Sequence, residues 1–223
     1  HPGDFIDIHT HDSGPTSGIF RVEILMAHEA KYPVEQKGII YAAGIHPWNL
    51  NEGNKSILME FMQSVAGHPS VIAVGEAGFD KLKGPSMDLQ REVFDEQVKM
   101  AEQLGKPVVI HCVRAWDEFL AAHKRLKPST NWLVHGFRGK KELAFQLISR
   151  GMFISIWFEF ALRPESAELI RSIPVERLFL ETDGADADIR DIYNNDAADI
   201  GISPDELKTI MYNNYMKFFG INA

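Results

Sequence analysis

The run Val71-Ile72-Ala73-Val74-Gly75-Glu76, the helical pattern from Asp88 to Leu104 and the run Pro107-Val108-Val109-Ile110-His111-Cys112 follow one another in the chain. Short runs rich in β-branched residues read as buried strands, and an amphipathic pattern between two of them reads as a crossover helix. Strands joined in this way lie parallel. Working outward, similar apolar runs occur at Phe5 to His9, Phe20 to Leu25, Ile39 to Ile45, Trp132 to Phe137, Met152 to Ile156 and Leu178 to Thr182. From the third strand onward they alternate with helical patterns at Ser56 to Ala66, Asp88 to Leu104, Ala115 to Lys124, Lys140 to Arg150, Glu165 to Ser172 and Ser203 to Phe218. Ser203-Pro204-Asp205-Glu206 reads as an N-cap, a first-turn proline and an acidic first turn, while Gly105 and Gly151 sit where C-cap glycines belong. The segment His11 to Ile19 between the first two strands contains Gly14, Pro15 and Gly18 and is too short for an ordinary crossover helix. Eight strands in a chain of this length predict an α/β fold: a compact (β/α)8 TIM barrel in which the helix after the first strand is missing or very short. A doubly wound open sheet is the alternative, although no glycine-rich phosphate loop follows the first strand.

The chain has 223 residues, 45% of them hydrophobic, enough for one large core or two small ones. No linker, charge block or low-complexity tract divides it, so one domain over 1–223 is expected. With 23 Lys+Arg against 31 Asp+Glu the formal net charge is -8, which excludes a broad cationic grip on nucleic acid or an anionic membrane and makes any polyanion site local. The single cysteine, Cys112, excludes an internal disulfide and a thiolate-rich zinc site and fits a reducing, cytoplasmic setting. No run of about 20 apolar residues and no basic-then-apolar leader occurs, so neither a membrane span nor a signal peptide is expected. Nothing in the composition implies an obligate protein partner.

Chemistry collects at the strand ends. Ile6-Asp7-Ile8-His9-Thr10-His11 puts two imidazoles two residues apart, and the period of a strand aims both to one side. Neutral imidazoles so paired are natural metal ligands, although an accidental pair would look the same. Reading the carboxyl ends of the later strands adds His46, Glu76, His111, His135 and Asp183, with the second and seventh strands contributing none. In a parallel barrel these ends lie on one face. Singly, Glu76 could cap a turn and His111 could be a hydrogen-bonded core histidine. Together the groups exceed what one tetrahedral ion uses, and buried polar groups need partners, so two divalent metals bridged by a carboxylate are the economical reading.

Asp7-Ile8-His9-Thr10-His11, Gly44-Ile45-His46-Pro47, Gly75-Glu76-Ala77-Gly78-Phe79-Asp80, Pro107-Val108-Val109-Ile110-His111, His135-Gly136-Phe137-Arg138-Gly139 and Leu180-Glu181-Thr182-Asp183 together resemble the TatD family of metal-dependent deoxyribonucleases, within the amidohydrolase-like TIM barrels. The likeness runs over nearly the whole chain. It implies that His9, His11, Glu76 and Asp183 hold one metal and Glu76, His111 and His135 the second, with Glu76 bridging and Zn, Mn or Mg as the ions. Asp183 would take a proton from the attacking water, and His46 would contact a phosphoryl oxygen, protonate the leaving oxygen or play a structural part. The implied substrate is DNA ends or short oligonucleotides, attacked exonucleolytically.

Three features depart from the family's pattern. The helix after the first strand is lost, His135 is followed by Gly136 where the family usually has cysteine, and Asp183 leads into the acidic Gly184-Ala185-Asp186-Ala187-Asp188, with Asp191 soon after. Arg114 is a candidate phosphate clamp, as are Arg138 and Lys140. With Lys81, Lys83, Lys141 and Arg163 they form either a basic rim or ordinary solvated loop charge. Trp48, Trp157 and Phe158 could stack on a base or pack a lid. Other readings remain: a hydrolase of small phosphoesters, against which stands the absence of a histidine soon after Asp183, a hydrolase of another amidohydrolase-type substrate, or a barrel used as a non-catalytic scaffold.

Overall fold

A computed structural model describes residues 3–11 and 13–221. Its strands are β1 (Phe5–Thr10), β2 (Ile19–Met26), β3 (Ile39–Gly44), β4 (Val71–Asp80), β5 (Val108–Val113), β6 (Trp132–Phe137), β7 (Phe153–Ile156) and β8 (Leu178–Leu180). They form one sheet in the order β1 to β8. The helices are α1 (Lys55–Val65), α2 (Met87–Leu104), α3 (Trp116–Leu126), α4 (Lys141–Ile148), α5 (Phe158–Ala161), α6 (Ser166–Ser172), α7 (Ile189–Ile200) and α8 (Pro204–Phe219). This order and alternation are those of a (β/α)8 barrel, as the sequence predicts.

The sequence reading differs from the structure in two places. Among the described residues the β2–β3 connection, like that between β1 and β2, has no α-helix; it holds only a short 3-10 turn, Ala27–Glu29, before Pro33 and Gly38. Helix α7 occupies a stretch, just after the acidic Gly184 to Asp188 segment, to which the sequence reading assigns no element. Its Asp, Asn and Arg residues hide the apolar positions Ile189, Ile192, Tyr193 and Ala197, all of which are buried. The signals that could have revealed it are Asp188, whose side chain accepts from Arg190 N, and Gly201 in the left-handed conformation at the C-cap.

The chain divides into two compact units. The first comprises His1–Glu23, Gln36–Ile39 and Leu133–Ala223. Here β1 and β2 pair in parallel, with Phe5 opposite Ile19 and Asp7 opposite Arg21, and the register shifts before Thr10 meets Glu23. Two side chains of β2 pin the short loop between them: Arg21 Nη1 donates to Gly14 O (2.7 Å), and Gly14 N donates to Glu23 Oε1 (2.9 Å). Strand β8 is tied to β1 where Asp183 N donates to His9 O (3.0 Å). From α7, the buried Tyr193 hydroxyl donates to Ile6 O (3.0 Å) and accepts from Ile6 N (3.1 Å), so the helix is keyed to β1.

Asp196, on the same helix, is fully buried with one weak side-chain hydrogen bond, from Asn195 Nδ2 at 3.4 Å. Burial, more than its neighbours, pushes its carboxyl up to about 8. Between the unfolded value near 4 and the folded value, the unfolded chain releases a proton that the folded chain keeps, so stability falls as pH rises through this window. Asp196→Asn is therefore expected to raise stability by roughly 1–3 kcal/mol at pH 8 and to change it little at pH 4. Thermal unfolding at the two pH values tests this, and an equal effect at both would remove the ionisation argument.

The second unit comprises Ile24–Glu35 and Ile40–Trp132. Helix α2 starts on Ser86, whose Oγ accepts from Leu89 N, and stops at the left-handed Gly105. Its apolar face, with Leu89, Val93, Phe94 and Val98, is buried, and among these side chains two glutamines use amide groups to satisfy strand backbone. Gln97 accepts from Ile45 N (2.7 Å) and donates to Ile45 O (3.2 Å), while Gln90 accepts from Asp80 N (2.8 Å) and donates to Asp80 O (2.9 Å). Each amide makes the paired bonds that another strand would make, and so fixes the carboxyl ends of β3 and β4. At the opposite end of β4, the Lys106 ammonium donates to the carbonyls of Ala66 (2.5 Å), His68 (3.3 Å) and Val71 (2.5 Å).

Candidate metal centre

In the second unit, His46, Glu76 and His111 bring three ligand atoms within 4.8 Å of one another, and all three side chains are buried. Small residues permit this. A Cβ on Gly78 would stand 1.9 Å from His111 O, and one on Gly75 would stand 2.4 Å from Val109 O, at φ of +156° and +140°. Only glycine lets β4 approach β5 so closely on either side of Glu76.

His46 Nδ1 accepts from Trp48 N at 3.1 Å, so the neutral ring carries its proton on Nε2, which lies 3.2 Å from Glu76 Oε1. His111 has a carboxylate at each nitrogen: Glu76 Oε1 is 2.8 Å from Nδ1, and Asp80 Oδ2 is 3.2 Å from Nε2. Asp80 also accepts from Trp48 Nε1 (2.6 Å), Leu82 N (2.7 Å) and Lys83 N (2.9 Å). Burial opposes its ionisation, but these bonds outweigh burial and hold the carboxyl below its ordinary value. An ionised Asp80 accepts the hydrogen bond of His111 Nε2–H, which in the neutral ring leaves the Nδ1 lone pair facing a second carboxylate. Two acceptors at 2.8 Å require a proton or a cation between them, and nitrogen with carboxylate oxygen is a donor set that suits Zn, Mn or Mg.

In the first unit, His9, His11 and Asp183 form a second such group. Asp183 Oδ1 lies 3.4 Å from His9 Nε2 and 3.6 Å from His11 Nε2. Burial again disfavours the charge on Asp183, yet the adjacent imidazoles of His11 and His9 prevail and hold its carboxyl well below the usual carboxylate range. Its φ of +53° is a left-handed conformation uncommon for a non-glycine residue, found here at a candidate ligand position. The His135 ring stacks on that of His9, with centroids 3.9 Å apart, and Nδ1 of His135 is 3.6 Å from Glu181 Oε1. Glu181 is wholly buried and accepts from Ser155 Oγ at 2.5 Å. Asp7 accepts from Thr182 N (3.0 Å) and Thr182 Oγ1 (2.7 Å), locking the end of β8 against β1. Burial raises the Asp7 carboxyl to about 7 against these bonds.

The sequence-predicted ligands are thus gathered within their units. Sequence reasoning missed the buried carboxylates Asp80 and Glu181, and Asp80 had a visible signal: it lies four residues beyond Glu76 on the same strand and so on the same face. The candidate phosphate contacts belong to neither ligand group. Arg114, Arg138 and Lys140 are exposed after β5 and β6, Arg138 lying 4.2 Å over the Trp157 ring. Much of the remaining basic rim faces acids: Lys81 meets Asp117 and Glu118, Lys141 meets Glu168 and Arg163 meets Glu159. Lys83 lies over the Trp48 ring at 3.9 Å. No helix among the described residues is long and apolar enough to cross a membrane.

A family model described as TatD related DNase matches residues 25–220. The chain is 27% identical over 208 residues to the uncharacterized metal-dependent hydrolase YcfH of Escherichia coli K12, covering 85% of this chain and 77% of that one. It is 35% identical over 146 residues to the 3'-5' ssDNA/RNA exonuclease TatD of Klebsiella pneumoniae, covering 63% of this chain and 55% of the relative. The crystal structure of the TatD homolog YjjV from Escherichia coli K12 covers both chains fully with a TM-score of 0.79 at 21% identity, a likeness of fold.

Proposed function

The chain belongs to the TatD related DNase family, and from that premise we propose that it hydrolyses phosphodiester bonds at the ends of DNA or short oligonucleotides, using two divalent metal ions. One ion would be held by each ligand group, His9 with His11 and Asp183, and Glu76 with His111. The observation that carries this reading is the carboxylate of Glu76 facing the Nδ1 lone pair of His111 at 2.8 Å while Asp80 occupies the other ring nitrogen. Ions bound there supply Lewis-acid charge at the phosphoryl group and make water acidic enough to attack near neutral pH. Asp183, kept ionised beside His9 and His11, accepts the proton of the attacking water. His46 holds Glu76 through Nε2–H and, with Nδ1 occupied by Trp48 N, offers that N–H as a hydrogen-bond donor to a phosphoryl oxygen. His135, stacked on His9, keeps that ring in place and completes the nitrogen-rich face of the site. Arg114, Arg138 and Lys140 meet the outgoing strand as solvated contacts. The lone cysteine fits action in the cytoplasm.

The test is a metal-supplemented assay with single-stranded oligonucleotides, phosphodiesters, phosphomonoesters and lactones, alongside metal content. Expected are about two divalent ions per chain and preference for the oligonucleotide; a chain that takes up no Zn, Mn or Mg ends the proposal. Asp80→Asn is expected to weaken metal affinity about 10- to 100-fold, because the His111 tautomer is no longer imposed. Competition with a chromophoric chelator measures this. Unchanged affinity would reduce Asp80 to a cap for the turn at Leu82 and Lys83.

A further inference from the structure

The first unit contains a cavity of about 440 Å³ between the loop that follows β1 and the loop that follows β8. Ser13 and Thr16 of the β1–β2 connection line it, where no helix occurs among the described residues. Its lining includes His11, Thr16, Arg21, Thr182 and Arg190, so it shares His11 with the ligand group of Asp183.

The two arginines give the cavity its chemistry. Arg21 spends Nη1 on Gly14 O, while its Nε is buried with no hydrogen-bond partner among the described residues. A buried guanidinium donor left unbonded is costly, and an anionic oxygen is its best partner. Asp7, opposite Arg21 across the strands, is already hydrogen-bonded by Thr182 through both oxygens. Two acids also line the space. Asp188 is committed to the start of α7, accepting from Arg190 N at 3.0 Å with its second oxygen 3.5 Å from Arg190 Nη1, whereas Asp186 is exposed at the rim. The acidic loop after Asp183 therefore keeps one acid occupied and leaves the other to repel a long polyanion.

We propose that this cavity binds the phosphate of the nucleotide adjoining the scissile bond, with Arg21 and Arg190 as the clamp. The assignment rests on the phosphodiesterase reading above. Planar guanidinium groups match a phosphate with paired hydrogen bonds, and Asp186 limits occupancy to a short strand.

Calorimetric titration of thymidine 3′,5′-bisphosphate into the full chain as purified tests the clamp, with inorganic phosphate and thymidine as comparison ligands. The bisphosphate is expected to bind more tightly than either, and Arg190→Ala to weaken it about tenfold or more. Arg21→Lys, which removes the fork but retains a donor towards Gly14, is expected to do the same, with circular dichroism confirming the fold. Arg190→Ala, which takes no part in that loop contact, decides the matter if Arg21→Lys does not fold. Equal affinity in wild type and Arg190→Ala overturns the clamp, and inorganic phosphate binding as tightly as the bisphosphate overturns the nucleotide assignment. Hydrolysis of single-stranded DNA is followed on the same preparations. Arginine-dependent binding without hydrolysis sinks the phosphodiesterase reading and leaves an anion site. Hydrolysis with arginine-independent binding sinks the cavity assignment and leaves that reading standing.

Discussion

Asp183→Asn is expected to lower turnover on single-stranded DNA by about 10²- to 10⁴-fold, the range over which a positioned proton acceptor contributes. The amide keeps the shape of the carboxylate but presents a neutral oxygen to His9 Nε2 and His11 Nε2, now 3.4 and 3.6 Å from Asp183 Oδ1. The backbone contribution of the residue, Asp183 N to His9 O at 3.0 Å, survives the substitution, so β8 stays tied to β1 and the variant should fold. Turnover is the quantity to measure, with far-ultraviolet circular dichroism and metal content as controls. Full activity would take Asp183 out of the mechanism.

Gly78→Ala carries the largest expected cost in stability. The added Cβ would fall 1.9 Å from His111 O and 2.9 Å from His111 C, both backbone atoms that no side-chain rotation can move, and φ is +156°. Either β4 and β5 separate, which destroys the His46–Glu76–His111 group, or the strand pair is lost. A penalty above about 4 kcal/mol is expected, a large fraction of the stability of a folded domain. Gly14→Ala is the control: its φ of +64° also disfavours alanine, but nothing lies within 4 Å, so roughly 1 kcal/mol is expected. Denaturant titration of both variants measures the difference, and a Gly78→Ala protein as stable as Gly14→Ala would contradict the close approach of the two strands.

The candidate ligands were legible in the sequence because each stands at or just beyond the end of an apolar run, where a His, Glu or Asp has no packing reason to stand. His9, His46, Glu76 and His111 are buried in the structure, and the strands that carry them lie close to the expected runs. Asp80 closes the Gly75 to Asp80 motif but lies past the expected end of its strand at Glu76, so it carries no site reading; its burial depends on Trp48 and on Gln90 of α2, contacts that no local pattern encodes. Helix α7 escaped because Tyr193 is held by the backbone of Ile6, 187 residues away, and its exposed face is acidic. The basic rim was legible as composition but not as charge, since Asp117, Glu118 and Glu168 come from helices whose placement is a tertiary matter.

The helix-free first crossover also bears on how the barrel assembles. Parallel strands ordinarily wait for a long excursion to close, but eight residues separate β1 from β2, whereas 27 separate β4 from β5. Loop-closure entropy rises by about 0.6 kcal/mol for each doubling of length, so pairing β1 with β2 starts with an advantage of roughly 1 kcal/mol. Arg21 and Glu23 then clip the closed loop at Gly14. The strand that carries His9 and leads into His11 is thereby registered early against a local neighbour, and the shortest strand-to-strand connection becomes a kinetic starting point for the sheet.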